Sequence, residues 1–349
     1  MNTSTNEVVT VRNHDDILEW CNRNAISISR FNQPVTIPED VTDCSKMFYS
    51  CNSFNQPVVI PDNTTDCSQM FSNCENFNQP ITIPEGVTNC HGMFAGCDSF
   101  NQPITVPDSV TNCSMMFSGC YNFNQPVILS RGVKDCSDMF RFCDSFNCPV
   151  TIMTGTANCD AMFTGCKSFN QSVAIPEGVT SCCGMFTDCY SLNQPIAIHE
   201  GVTDCRFMFS GCKSFNQSVT IPKSVELCNG MFMNCYSFNQ PVAIPKGVTD
   251  CSNMFWDCTS FNQPVTIPSS VRYCSYMFGD CEIFNQPITV PDSVVDYHRM
   301  FHNCPGVFRP KNRAYASNNV PRDITNEIET QSKDNTKSKS EAFSETNLF

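Results

Sequence analysis

Apolar residues return along this chain with a fixed period of 23, in twelve copies aligned on Phe31, Phe54, Phe77 and so on to Phe284, with Leu192 in the eighth and no insertion between any two. The consensus is F-N-Q-P-V-T-I-P-x-x-V-T-x-C-x-x-M-F-x-x-C-x-S. Its fifth and seventh positions are Val, Ile or Leu in every copy, as at Val35 and Ile37, with Thr or Ala usually between them. That alternation predicts a short strand with one face inward. Proline at the eighth position, as at Pro38, lacks an N–H and closes the strand, and the polar ninth and tenth positions, such as Glu39 and Asp40, read as an exposed turn. Met and Phe then stand together in all twelve copies, from Met47 and Phe48 to Met300 and Phe301, with a Cys four residues after the Met. That spacing brings Met and Cys to one face only if the backbone coils, which predicts a short helix or 3₁₀ turn.

A period of this length is the mark of stacked units that contact mainly their neighbours. One coil buries too few side chains to offset the entropy of ordering its own backbone, so its stability has to come from stacking like side chains on like. The fold class expected is a repeat solenoid of twelve units, with short parallel strands on one face and turns or short 3₁₀ or α segments on the other. Residues 1–30 are expected to cap it through an amphipathic helix at 14–24, with Ile17, Leu18, Trp20 and Cys21 over the first coil. Residues 31–308 form the solenoid. Residues 309–349, polar and poor in large apolar side chains, are expected to be a disordered tail.

Charge narrows the function classes. The chain has 21 basic and 34 acidic residues, a net charge of −13, and the coils alone hold 24 acidic against 11 basic side chains. Such a surface does not neutralise phosphates, so no nucleic-acid partner is expected. No apolar run is long enough to span a bilayer. Glu7, Asp15 and Asp16 stand where a secretory signal would be basic and then apolar, which predicts a cytoplasmic location.

The segments V-T-I-P, as at 35–38, and V-T-x-C-x-x-M-F-x-x-C, as at 41–51 apart from its variable residues, resemble the BspA-like or treponemal-type leucine-rich repeat. The elements Ser53-Phe54-Asn55-Gln56 and Met70-Phe71 are similar to the 25-residue repeats of mycoplasma lipoproteins and other bacterial surface proteins. The resemblance covers all twelve copies and implies that the solenoid is a leucine-rich-repeat-like right-handed coil of twelve 23-residue units and a scaffold for recognition, with a cell-surface location as the alternative. The chain departs from the family pattern in carrying Met where the family has a small Ala before Phe.

The 26 cysteines fall mainly into two rows, one through Cys44 and one through Cys51. They read as reduced, buried core thiols. A disulfide framework and metal binding stay open as alternatives, although offsets of seven and sixteen residues lack the C-x-x-C spacing of zinc sites. His298 and His302, close to Cys304, read as solvated surface rather than a metal pair. No nucleophile elbow, phosphate loop or zinc-protease motif occurs, so neither catalysis nor a cofactor is expected. The row through Asn32 and Asn55 is expected to bond to turn backbone and to itself up the stack, and together with Cys44, Cys51, Met47 and Phe48 it forms the structural ladder. The candidate binding face is the outward strand face at the fourth, sixth and eighth positions, centred on Thr36, Thr82, Thr105, Thr151, Thr220, Thr266 and Thr289. The function read from the sequence is a non-catalytic scaffold for a protein or an extended glycan, or alternatively a structural or adhesin component of a cell surface, virion or appendage.

Overall fold

The structure, a computed structural model, describes residues 8–304. Residues 1–7 and the tail expected at 309–349 lie outside the described residues, as does the end of the last coil. Strand β1 (Val9–Thr10) is followed by helix α1 (His14–Arg23), a 3₁₀ turn at Ile28–Arg30 and then the repeats. The sequence starts α1 with a capping box. The Asn13 side chain accepts from the Asp15 and Asp16 amides, and the Asp16 carboxylate accepts from the Asn13 amide. Ile17, Trp20 and Cys21 are buried, Leu18 half-buried, and the Trp20 ring meets Phe31 edge-on at 5.5 Å. Strand β1 pairs in parallel with β2 (Val35–Thr36).

Coils stack in strict 23-residue register. A chain of parallel bridges runs from Asp43–Asp66 through to Tyr273–Asp296, each step joining equivalent residues of consecutive coils. Regular strand is sparser than the alternation predicts. Among the described residues, besides β1 and β2, it is confined to β3 (Ile104–Thr105) with β4 (Val127–Ile128), and β5 (Val173–Ile175) with β6 (Ile196–Ile198). Proline on both sides of the segment removes two donors and leaves three residues to make a ladder. Strands β4, β5 and β6 lie where one flanking proline is replaced, by Ser130, Ser172 and His199 respectively. The coils with Met153 or Ser218 at a flanking position form none.

The Met-Phe segment is neither α nor 3₁₀ helix. It is a run of turns in which alternate amides do different jobs. In the first coil the Met47, Tyr49 and Cys51 amides close turns onto the carbonyls three residues back, while the Cys44, Lys46, Phe48 and Ser50 amides donate to Asp66, Ser68, Met70 and Ser72 of the next coil at 2.8–2.9 Å. This alternation requires positive φ at Lys46 (54°) and Ser50 (57°), and the equivalent residues of every later coil have it too, from Gln69 and Asn73 to Arg299 and Asn303. Positive φ at the third residue of a turn is the type II pattern, and it breaks any helix. An Asx turn leads in: the Asp43 carboxylate accepts from the Ser45 amide at 2.8 Å, and Asp66, Asn89 and Asn112 repeat the bond.

Phenylalanines fill the interior in two columns. Neighbouring rings of the column through Phe48, Phe71 and Phe94 are 5.3 and 5.6 Å apart and nearly parallel, and within a coil Phe48 and Phe54 lie at 4.3 Å. Offset stacks of this kind add about 0.5–1.5 kcal/mol each beyond burial. Larger surface rings are accommodated by a glycine one coil later: Phe142 lies against Gly165, Phe207 against Gly230 and Trp256 against Gly279.

Gly279 has no positive φ, so a methyl there is opposed only by its surroundings, and Trp256 Cδ1 would lie 2.9 Å from it. Gly279→Ala is expected to cost about 1–3 kcal/mol through overpacking. In the Trp256→Ala background most of that cost disappears, as a double-mutant cycle from denaturant melts would measure.

Candidate functional site

Three rows of side chains and one exposed face are the candidates, and the turns position all of them. The Cys74 thiol donates to the Phe48 carbonyl of the preceding coil at 3.0 Å, and every later member of that row, from Cys97 to Cys304, makes the equivalent bond. The same carbonyl already accepts from the Cys51 amide at 3.0 Å, so the thiol occupies its second lone pair. Cys44 and Cys51, like Met47 and Phe48, are fully buried, and all 26 cysteines are free thiols. Burial pushes the Cys51, Cys90, Cys136 and Cys274 thiols from 9.0 up to about 12, and holds Cys97, Cys143 and Cys212 well above their ordinary value. A protonated thiol is the form that can donate.

Of the two bonds expected of the asparagine row, to backbone and to its own kind up the stack, it makes the first, to the backbone of the next coil. Asn32 Oδ1 accepts from the backbone amide of Asn55 at 2.9 Å and from Gln56 Nε2 at 3.1 Å. Asn55 does the same for Asn78 and Gln79, and the backbone bond recurs at every step to Asn285. The acceptor is occupied by the next coil's backbone and glutamine. The row is exposed or half-buried rather than interior.

On the candidate binding face, Thr36, Thr82, Thr105, Thr151, Thr220, Thr266 and Thr289 are all exposed. Except for the exposed His199, the eighth position does not belong with them, being buried or half-buried. Pro61, Pro84 and Pro107 are buried, because the Thr64, Val87 and Val110 amides close turns onto their carbonyls and bend the chain inward there. The face is therefore two columns, the fourth and sixth positions. A shallow concavity between the tenth and eleventh coils, lined by Val242, Ala243, Pro264 and Thr266, lies on it. His298 and His302 flank the Tyr276 ring edge-on at 5.7 and 6.4 Å, and Cys304 donates to the Phe278 carbonyl, so the structure gives these three separate contacts. Among the described residues no group of three or more His, Cys, Asp or Glu is placed to hold a metal, and no helix is long and apolar enough to cross a membrane.

Parallel coils held by backbone bonds, side-chain rows and turns define a solenoid repeat protein. The chain belongs to the family described as "Mycoplasma protein of unknown function, DUF285", which matches residues 7–84, 65–175, 153–244, 175–266 and 245–341. Among solved structures it is similar to a leucine rich cell surface protein from Faecalibacterium prausnitzii, at 20% identity over 84% of this chain and 82% of that one, with a TM-score of 0.47. It is also similar to leucine-rich repeat proteins from Bacteroides ovatus (21% identity, 74% and 79% covered, TM-score 0.47) and Eubacterium ventriosum (17%, 87% and 90%, 0.45). No curated protein matches the chain in sequence.

The thiol rows make stability fall at alkaline pH. The unfolded chain releases thiol protons from about pH 9 while the folded chain retains them, so each buried thiol removes about 1.4 kcal/mol of stability per pH unit until the pH passes its folded value. With pKa values of 9.0 unfolded and about 12 folded for Cys51, Cys90, Cys136 and Cys274, this window runs from pH 9 to 12. The expected outcome is a melting temperature unchanged from pH 6 to 8 and a steep cooperative loss above pH 9, read by circular dichroism under reducing conditions.

Proposed function

We propose that the chain is a non-catalytic recognition scaffold whose strand face docks a protein partner, organised as a cap over residues 1–30, twelve right-handed coils over 31–308 and a polar tail from 309. The observation that carries this reading is the absence of charge on one face of a chain with a net charge of −13. At the fourth and sixth positions the coils present only Pro or Ser and Thr, Ala, Val or Ile, in two columns. Val59 is 83% exposed and Ile128 64% exposed on that face. Depletion of charge is what distinguishes the centre of a protein interface from the remaining surface, and two β-branched apolar side chains held out in solvent favour a covering partner. The side chains with reactive chemistry, the thiols above all, are occupied in holding the stack together, which supports a scaffold over an enzyme. The resemblance to surface-protein repeats supports a cell-surface location over the cytoplasmic one that the acidic N-terminal segment suggests.

Crosslinking capture with the full chain tests the reading. Wild type is expected to retain one defined protein partner, and Ile128→Asp, exposed and so without effect on melting, is expected to release it. Capture that is indifferent to Ile128→Asp and to Val59→Asp would refute the strand face as the contact. Concentration-dependent self-association lost in the same variants would favour the structural role.

A further inference from the structure

The strand face is uniform from coil to coil, but one edge is not. At the twenty-second position, six consecutive coils carry Tyr121, Asp144, Lys167, Tyr190, Lys213 and Tyr236, where the second, third and eleventh coils have Glu75, Asp98 and Glu282. The backbone fixes these side chains in line. The Ser145, Ser168, Ser191, Ser214 and Ser237 amides donate at 3.1–3.2 Å to the carbonyls of the column residues one coil back. Their five side chains form an exposed hydroxyl column beside the rings. Tyr121 is 48% exposed and Tyr236 39%. At about 4.8 Å per coil, Tyr121 and Tyr190 stand roughly 14 Å apart and Tyr190 and Tyr236 roughly 10 Å.

A second, independent observation falls on the same edge. Phe142 occupies a left-handed position, φ 57°, that nearly every other coil gives to Gly, Asn or Asp, yet its ring is 42% exposed. The left-handed φ recurs in every coil and is met at this position by Gly, Asn, Asp or Ser elsewhere, so a Phe here costs backbone energy while leaving its ring in solvent. The Arg141 guanidinium lies 4.9 Å from the centre of its ring.

We propose that this edge, from Tyr121 to Tyr236 with Phe142, is a binding site for a neutral oligosaccharide chain laid along the stack. Charge argues against a polyanion. Lys167 is paired with Asp144 at 2.7 Å, and the Lys213 ammonium sits over the Tyr190 ring at 3.8 Å, so the column carries little unbalanced charge. Rings serve protein and sugar sites alike, but the Asp, Lys and Ser side chains between these rings are of the kinds depleted at the centres of protein interfaces. Rings spaced along a line, with hydroxyls, a carboxylate and ammonium groups between them, match a chain of sugars. The C–H faces of the sugars stack on Tyr121 and Tyr236, and their hydroxyls exchange hydrogen bonds with Ser, Asp and Lys. The site is separate from the strand face, so either can fail without the other.

The test is calorimetric titration of the full chain with cellohexaose, N-acetylated chitohexaose and mannohexaose. Saturable binding of at least one is expected, with Tyr121→Ala and Tyr236→Ala each weakening it about five-fold or more, as loss of one ring contact implies. Tyr121→Phe is expected to keep most of the affinity. Phe142→Gly is expected to weaken binding while melting at or above the wild-type temperature, a combination that a purely structural role would not produce. Ile128→Asp on the strand face is expected to leave sugar affinity unchanged. The proposal is overturned if none of the three sugars binds saturably, if binding survives the Tyr121→Ala/Tyr236→Ala pair, or if heparin, polyglutamate or a protein ligand occupies this edge in their place.

Discussion

The structure depends on backbone amides that have no partner within their own coil. In each turn segment alternate amides close local turns, and the others, such as those of Lys46, Phe48 and Ser50, point along the stack to carbonyls of the next coil. A buried amide left unpaired costs as much as a lost hydrogen bond or more, so a coil without its successor is short of several bonds at once. Left-handed residues twice per coil are the conformational cost of that arrangement, on the order of 1–2 kcal/mol for a residue other than glycine. Side chains as large as those of Met115 and Phe207 accept it, at φ 56° and 54°.

The side-chain rows follow from the same register. Once the backbone repeats at fixed spacing, equivalent side chains are superposed and each must be compatible with a copy of itself above and below. Phenylalanine meets that condition by offset stacking. Asparagine meets it by turning its acceptor to the next backbone amide rather than to its own kind. Cysteine meets it because it is small, tolerates burial, and still supplies one donor for a carbonyl with a free lone pair. A serine would make the same bond at a greater desolvation cost.

Period, apolar positions, the cap helix and the family were legible in the sequence because each rests on a local pattern repeated many times. The two left-handed positions were not recognised, although one of them has a signal: the residue before the second cysteine is Gly, Asn or Asp in ten coils, Ser50 and Phe142 being the others. The Asp or Asn before the first cysteine in eight coils marked the Asx turn in the same way. The other left-handed position, Lys46 in the first coil and Arg299 in the last, has a weaker bias, with Gly, Asn or Asp in five coils, because inter-coil bonds set its φ even against local preference. The inward eighth position was misread for a related reason: strand alternation was extended across Pro61 and Pro84, where a turn ends it. Of the candidate sites, the threonine face could be read from alternation alone. The tyrosine edge is visible only once the coils are stacked and the twenty-second positions fall into one line.

Deleting backbone in whole and partial periods tests the central claim most directly. Removing residues 147–169 takes out one full period and rejoins Phe146 to Asn170, so each coil still meets a complete neighbour. Removing residues 147–158 breaks the register midway. The account predicts that the 23-residue deletion melts in one cooperative transition close to wild type, while the 12-residue deletion loses cooperativity and much of its stability. Equal stability of the two deletions would contradict it.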